Sequence, residues 1–167
     1  MRLRALVVAA FVGLTSLVTG VAAQAAPIPD TVITDQFQVR ARALIGSATT
    51  TCTIQLRAQW PSETPDVRVA FQGRTTCGVQ VLMTGQATLY NEARSPEQVA
   101  QRFGFAPLRT GTSAAAYNPV TRGAEQILGY STTLIAPWGK VWRQAPQQCS
   151  GLNTPVLNCS FERTFVV

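Results

Sequence analysis

Apolar and polar residues alternate along much of the chain. From Phe37, the residues Phe37, Val39, Ala41, Ala43 and Ile45 share one parity, and Gln36, Gln38, Arg40 and Arg42 hold the other. Further on, Cys52, Ile54, Leu56, Ala58 and Trp60 oppose Thr53, Gln55, Arg57 and Gln59. Val67, Val69 and Phe71 then oppose Arg68, Gln72 and Arg74. Period two places successive side chains on opposite faces, so these segments read as half-buried antiparallel strands. The run from Pro61 to Asp66 holds two prolines and reads as the turn between the second and third.

That hairpin carries a disulfide prediction. If Trp60 faces Val69, then Ala58 faces Phe71 and Cys52 faces Cys77. Both cysteines lie on the apolar parity, and directly opposed residues approach within ~4.5–5.5 Å, within reach of a disulfide. Cys149 and Cys159 then form the second pair, closing a loop that contains Gly151 and Pro155.

A fourth strand is expected from about Val79 to Met83, resuming past Gly85 through Tyr90. A short helix is expected after it. Ser95 can cap, Pro96 suits the first helical position, Gln98 completes a capping box, and Gly104 ends the segment. Residues 106–129 are hard to read: Thr110–Ser113 and Asn118–Pro119 look like loop, and Thr121–Leu128 like a second short helix. Thr132–Ala136 and Lys140–Arg143 read as strands around Pro137-Trp138-Gly139, and Cys159–Val167 as the last strand. Together these predict a mainly β fold: a small antiparallel β-sandwich or barrel-like domain with one or two short helices and two disulfides.

Composition changes the picture at the N-terminus. Arg2 and Arg4 precede an uncharged apolar run from Ala5 to about Ala23, ending in small residues. This is the layout of a secretory signal peptide, with Ala23 and Ala25 at −3 and −1 and cleavage expected between Ala25 and Ala26. The alternative, an uncleaved anchor, would need ~20 apolar residues, and this run is diluted by Gly13, Thr15, Ser16 and Thr19. The expected mature chain, Ala26 to Val167, suits one secreted domain with no transmembrane segment. Two of the 14 basic residues lie in the leader, so the mature chain carries 12 against 8 acidic ones, or +4. That is too mild for a dedicated nucleic-acid binder.

The cysteines reinforce the address. An even count in an exported chain reads as disulfides. Zinc is disfavoured, because the chain has no histidine and no closely spaced cysteine pair. Missing histidine also removes Ser-His-Asp and Cys-His catalysis. Carboxylates remain, and only Glu92 and Glu125 lack an evident structural role; a hydrolase built on such a pair is one possible reading. No metal or cofactor is expected.

The positive signal is arginine. Arg40, Arg42, Arg57, Arg68 and Arg74 should project from one sheet face, where guanidinium forks suit an anionic cell-wall or surface polymer, lipid headgroups or an acidic protein. The competing reading is a solvated face. Trp138, at a turn tip, and Trp142 are candidates to stack on a glycan or anchor a protein contact, unless both indoles fold into the core. The Cys149–Cys159 loop, with Leu152 and Leu157, could present itself to a protease as an inhibitor; its structural reading is a staple. The expected function is a non-enzymatic extracellular binding module, with inhibitor and hydrolase as alternatives.

Overall fold

The computed structural model describes residues 30–62 and 66–167. The expected leader and its cleavage site lie outside the described residues, as does the middle of the Pro61–Asp66 turn. Among the described residues, nine strands form one sheet: β1 (Asp30–Ala43), β2 (Thr49–Pro61), β3 (Asp66–Asn91), β4 (Pro96–Val99), β5 (Phe103–Thr121), β6 (Glu125–Ile135), β7 (Lys140–Gln144), β8 (Cys149–Ser150) and β9 (Val156–Val166). The order is β7-β1-β2-β3-β6-β9-β8, with β4 and β5 also on β3. Every pairing is antiparallel.

The hairpin register is the expected one, with Cys52 opposite Cys77 and Ala58 opposite Phe71. Both predicted disulfides are present, Cys52–Cys77 and Cys149–Cys159, each joining directly paired strand residues.

β3 organises the fold. Its first half pairs with β2 as far as Cys77, and its second half pairs with β6 from Leu82. Against β5 the ladder breaks over the same stretch, resuming at Val81–Leu108 after Thr76–Thr110. Extra residues on one strand bend it and increase its twist, so the expected third and fourth strands are one bent strand. The bend curls the sheet until its two halves face each other. Phe37 stacks on Phe161 with ring centroids 4.2 Å apart, and Trp60 on Phe165 at 4.9 Å, although these strands are not neighbours in the sheet.

The far ends of the sheet also meet. The Trp142 N–H of β7 donates to Thr154 O, and the Asn153 N–H donates to Trp142 O. Two backbone bonds thus tie β7 to the loop before β9, so one end of the curled sheet is nearly closed. The alternating apolar residues of both halves fill the interior. Gly73 faces Tyr130 so closely that a Cβ there would fall well under 3.0 Å from three ring carbons.

The helices are a correction. Among the described residues there are none. Where a helix was expected from Ser95, the Asn91 Oδ1 accepts the Ser95 N–H, and Arg94 turns the chain at φ 58°. β4 then runs back along β3, pairing Val99 with Thr88. A helix of about eight residues is marginal alone, and an open strand edge offered the same backbone groups partners. The second expected helix, Thr121–Leu128, is instead a tight turn at Gly123 (φ 83°) followed by β6. Thr110–Ser113 and Asn118–Pro119 are strand, within β5, not loop. Ile45, expected to point inward, lies beyond β1 and is 93% exposed.

Candidate functional site

The five arginines share one face. Gln55 pairs with Arg74 and with Gln36, Arg57 pairs with Gln72 and with Thr34, and Arg40 pairs with Thr51. All five arginine side chains are exposed, on the side opposite the core. Arg57 donates to Gln59 Oε1 at 2.9 Å. The ion pairs formed among the described residues, Arg94–Glu162 and Arg163–Asp35, involve none of the five.

Their layout is a diagonal across β1, β2 and β3. Continuing the β2–β3 register, Arg68 falls in the row of Pro61 and Asp30, and Arg42 lies at the other end of β1. The stripe therefore runs most of the length of β1, about 40 Å at roughly 3.3 Å per residue.

At the Arg42 end two loops lie side by side, because the Leu44 N–H donates to Gly139 O at 2.9 Å. Their tips expose Trp138 at 102%, Ile45 at 93% and Leu44 at 63%. Arg42 and Arg143 line one hollow with Leu44. The sequence reading missed Leu44, Ile45 and Arg143 as part of this tip. Gly46-Ser47 directly after Ile45 is the signal that could have ended the strand earlier.

Trp142 is not part of any surface. It is fully buried, and its indole N–H donates to Pro155 O at 3.0 Å. The Cys149–Cys159 loop is engaged in the same contact: Thr154 and Asn153 bond β7, and Leu157 is fully buried. Leu157 therefore cannot enter a protease pocket, although Leu152 remains exposed.

Two further concavities are present. One, of about 490 Å³, lies across β6 and β9 beside the second disulfide and is lined by hydroxyls and amides such as Ser131, Thr133, Asn158 and Gln148. Its one cation, Arg102, donates through Nε to Thr84 Oγ1 at 3.0 Å. The other, of about 570 Å³, opens between the β3–β4 and β5–β6 turns and gathers Glu92, Glu97 and Glu125. It brings Glu92 and Glu125, the two glutamates without an evident structural role, near Glu97 of β4.

Among the described residues, buried tyrosine supplies the perturbed titration. Burial pushes the Tyr130 hydroxyl above its ordinary value, against the opposing hydrogen bonds from Thr75 and Thr132. It serves packing, bonded to Thr75 Oγ1 at 2.9 Å. No group of three or more His, Cys, Asp or Glu among the described residues is placed to hold a metal ion. No family model matches the chain, nor does any curated protein or solved structure.

Proposed function

We propose that the protein is an extracellular, non-enzymatic binding module that docks on an extended anionic partner, such as a cell-surface polymer, through the arginine stripe. The observation that carries this reading is the run of Arg40, Arg42, Arg57, Arg68 and Arg74 along one exposed face, none of them in an ion pair among the described residues. A line of forks about 40 Å long suits a polymer better than a compact ligand, because successive anionic groups can each meet a fork. Two closed disulfides fit an oxidising destination.

The test is binding to a linear polyphosphate across a salt series. Affinity should fall linearly on a log–log plot, because each neutralised anion releases a counterion. Arg40→Gln, Arg57→Gln and Arg74→Gln should each flatten that slope. Binding that ignores salt, or ignores these substitutions, would end the proposal.

A second reading has its own support, in the tip formed by Trp138, Ile45 and Leu44. Indole and aliphatic groups beside Arg42 and Arg143 suit the boundary of an anionic bilayer, where rings sit at the headgroup level and cations meet phosphates. Vesicles containing anionic phospholipid should blue-shift Trp138 emission. An unchanged spectrum at saturating lipid would leave the polymer reading alone.

A further inference from the structure

The concavity across β6 and β9 is built by strand register. Pairing lines up Gln86, Ser131 and Ser160 in one row, and Thr84, Thr133, Asn158 and Ser150 in the next. Ser131, Asn158 and Ser160 are exposed, while their sequence neighbours Tyr130, Leu157 and Phe161 are buried. Alternation thus turns hydroxyls and an amide outward on adjacent strands, and the short serines leave a low floor. The turn before β8 forms one wall. It is held against β9, because the Ser160 N–H donates to Gln148 O at 3.0 Å and the second disulfide joins Cys149 to Cys159. Arg102, just before β5, stands on the side of β3.

Two groups in this hollow are already oriented. Arg102 Nε donates to Thr84 Oγ1 at 3.0 Å, and Thr84 Oγ1 donates to Phe103 O at 2.8 Å. Thr84 is buried, so the exposed arginine has a fixed anchor. That bond uses Nε and leaves the terminal guanidinium nitrogens for another acceptor. No ion pair among the described residues involves Arg102, and no carboxylate among them lines the hollow. On the floor, Thr133 Oγ1 donates to Asn158 Oδ1 at 2.8 Å, so Asn158 keeps its Nδ2 donors for a ligand.

The ligand's class follows from this set of groups. An anchored guanidinium without a carboxylate partner suits an anion, and its planar fork suits a carboxylate. Hydroxyls and amides, which both donate and accept, suit a ligand with several hydroxyl groups. The lining holds no aromatic or aliphatic residue, so an apolar ligand would gain little by entering. A volume of about 490 Å³ lies within the range of small-molecule sites and is more than a bare inorganic anion needs. β3 and β9 are two strand spacings apart, about 10 Å, which one sugar ring bridges when side chains reach it from both sides. We infer that this hollow binds an acidic sugar of the uronate class, its carboxylate on the Arg102 fork and its ring hydroxyls on Ser131, Asn158 and Ser160. None of these residues belongs to the arginine stripe, so the inference stands apart from it.

The experiment titrates the folded protein with sodium glucuronate, and in parallel with glucose and with sodium acetate, read by amide chemical shifts. Glucuronate should bind saturably, with the largest shifts at residues 131, 133, 158 and 160 and at the Asn158 side-chain amide. Glucose lacks the carboxylate and acetate lacks the hydroxyls, so each should bind about fivefold more weakly or worse. Arg102→Gln should lower glucuronate affinity to that of glucose and leave glucose binding unchanged. Asn158→Asp, which exchanges a donor for a like charge, should weaken glucuronate at least as much. Both positions are exposed, and thermal melts check that each variant is folded. The three-ligand comparison on the parent protein decides the matter if a variant is not. The inference is overturned by shifts that do not saturate, by glucose or acetate binding as tightly as glucuronate, by unchanged affinity in folded Arg102→Gln, or by shifts centred on Arg40, Arg57 and Arg74 instead.

Discussion

Gly73→Ala tests the packing on which the curled sheet depends. Gly73 pairs with Leu56 on β2 and with Ser113 on β5, so its backbone is held on both edges. The space its side chain would take is filled by the ring of Tyr130, and a Cβ there would fall well under 3.0 Å from three ring carbons. Tyr130 cannot swing out freely, being 1% exposed and bonded through its hydroxyl to Thr75 at 2.9 Å. Overpacking of a well-filled core costs roughly 1–3 kcal/mol, and the upper end applies where neither partner can move. Losing the Tyr130–Thr75 hydrogen bond as the ring shifts adds about 1 kcal/mol. The expected loss is therefore about 4 kcal/mol, a large share of the 5–15 kcal/mol typical of a domain. At about 2–4 °C per kcal/mol this lowers Tm by about 8–16 °C. Urea unfolding of four proteins measures it: the parent, Gly73→Ala, Tyr130→Ala and the double variant. In the Tyr130→Ala background the added methyl has room, so Gly73→Ala should cost less than about 1 kcal/mol and the cycle should show coupling of about 3 kcal/mol. A single-variant cost under 1 kcal/mol, or equal costs in both backgrounds, would refute the reasoning.

Other outcomes follow from the same core. Trp142→Ala removes a fully buried indole and its bond to Pro155, so it should cost about 3–5 kcal/mol, whereas Trp138→Ala should stay within about 0.5 kcal/mol; denaturant midpoints separate the two. Replacing Cys52 and Cys77 together with alanine should cost about 3 kcal/mol or slightly more, and replacing Cys149 and Cys159 somewhat less, since the first bridge closes the longer loop (sequence separations 25 and 10). Because the folded state holds the Tyr130 proton more tightly than the unfolded chain does, its contribution is complete below the unfolded value of 10.0 and fades as pH rises through the higher folded value. Stability measured from pH 9 upward should therefore fall, and Tyr130→Phe should flatten part of that fall; a profile identical in the variant would rule out this group as the cause.

Period two made much of this fold legible. Alternation along 37–43, 52–60 and 67–74 identified the strands and their buried faces, because a half-buried sheet imposes that period on any sequence. It also placed Cys52 against Cys77, since turn position and parity together fix the register of a hairpin. Pairing with distant partners was not legible. The segment from Ser95 carried local helix signals and became strand because β3 presented an open edge, a fact about residues 88–90 rather than about 95–99. Residues 106–121 had no clear period because β5 runs along both halves of the bent β3 and is shifted in register between them.

For the candidate sites the division is similar. The common face of the five arginines was fixed by parity alone, since side chains of one parity cannot change sides without shifting the whole strand. Trp138 was legible as a turn tip from Pro137 and Gly139, whereas only the curl of the sheet decided that Trp142 is buried against Pro155. Glu92, Glu97 and Glu125 became neighbours only when two turns came together at one end of the sheet. Sequence alone determined which face the residues of 37–43, 52–60 and 67–74 take, because that depends on local geometry. Tertiary structure decided which distant faces and turns meet, because that depends on where β3 bends and which strand edges are left to pair.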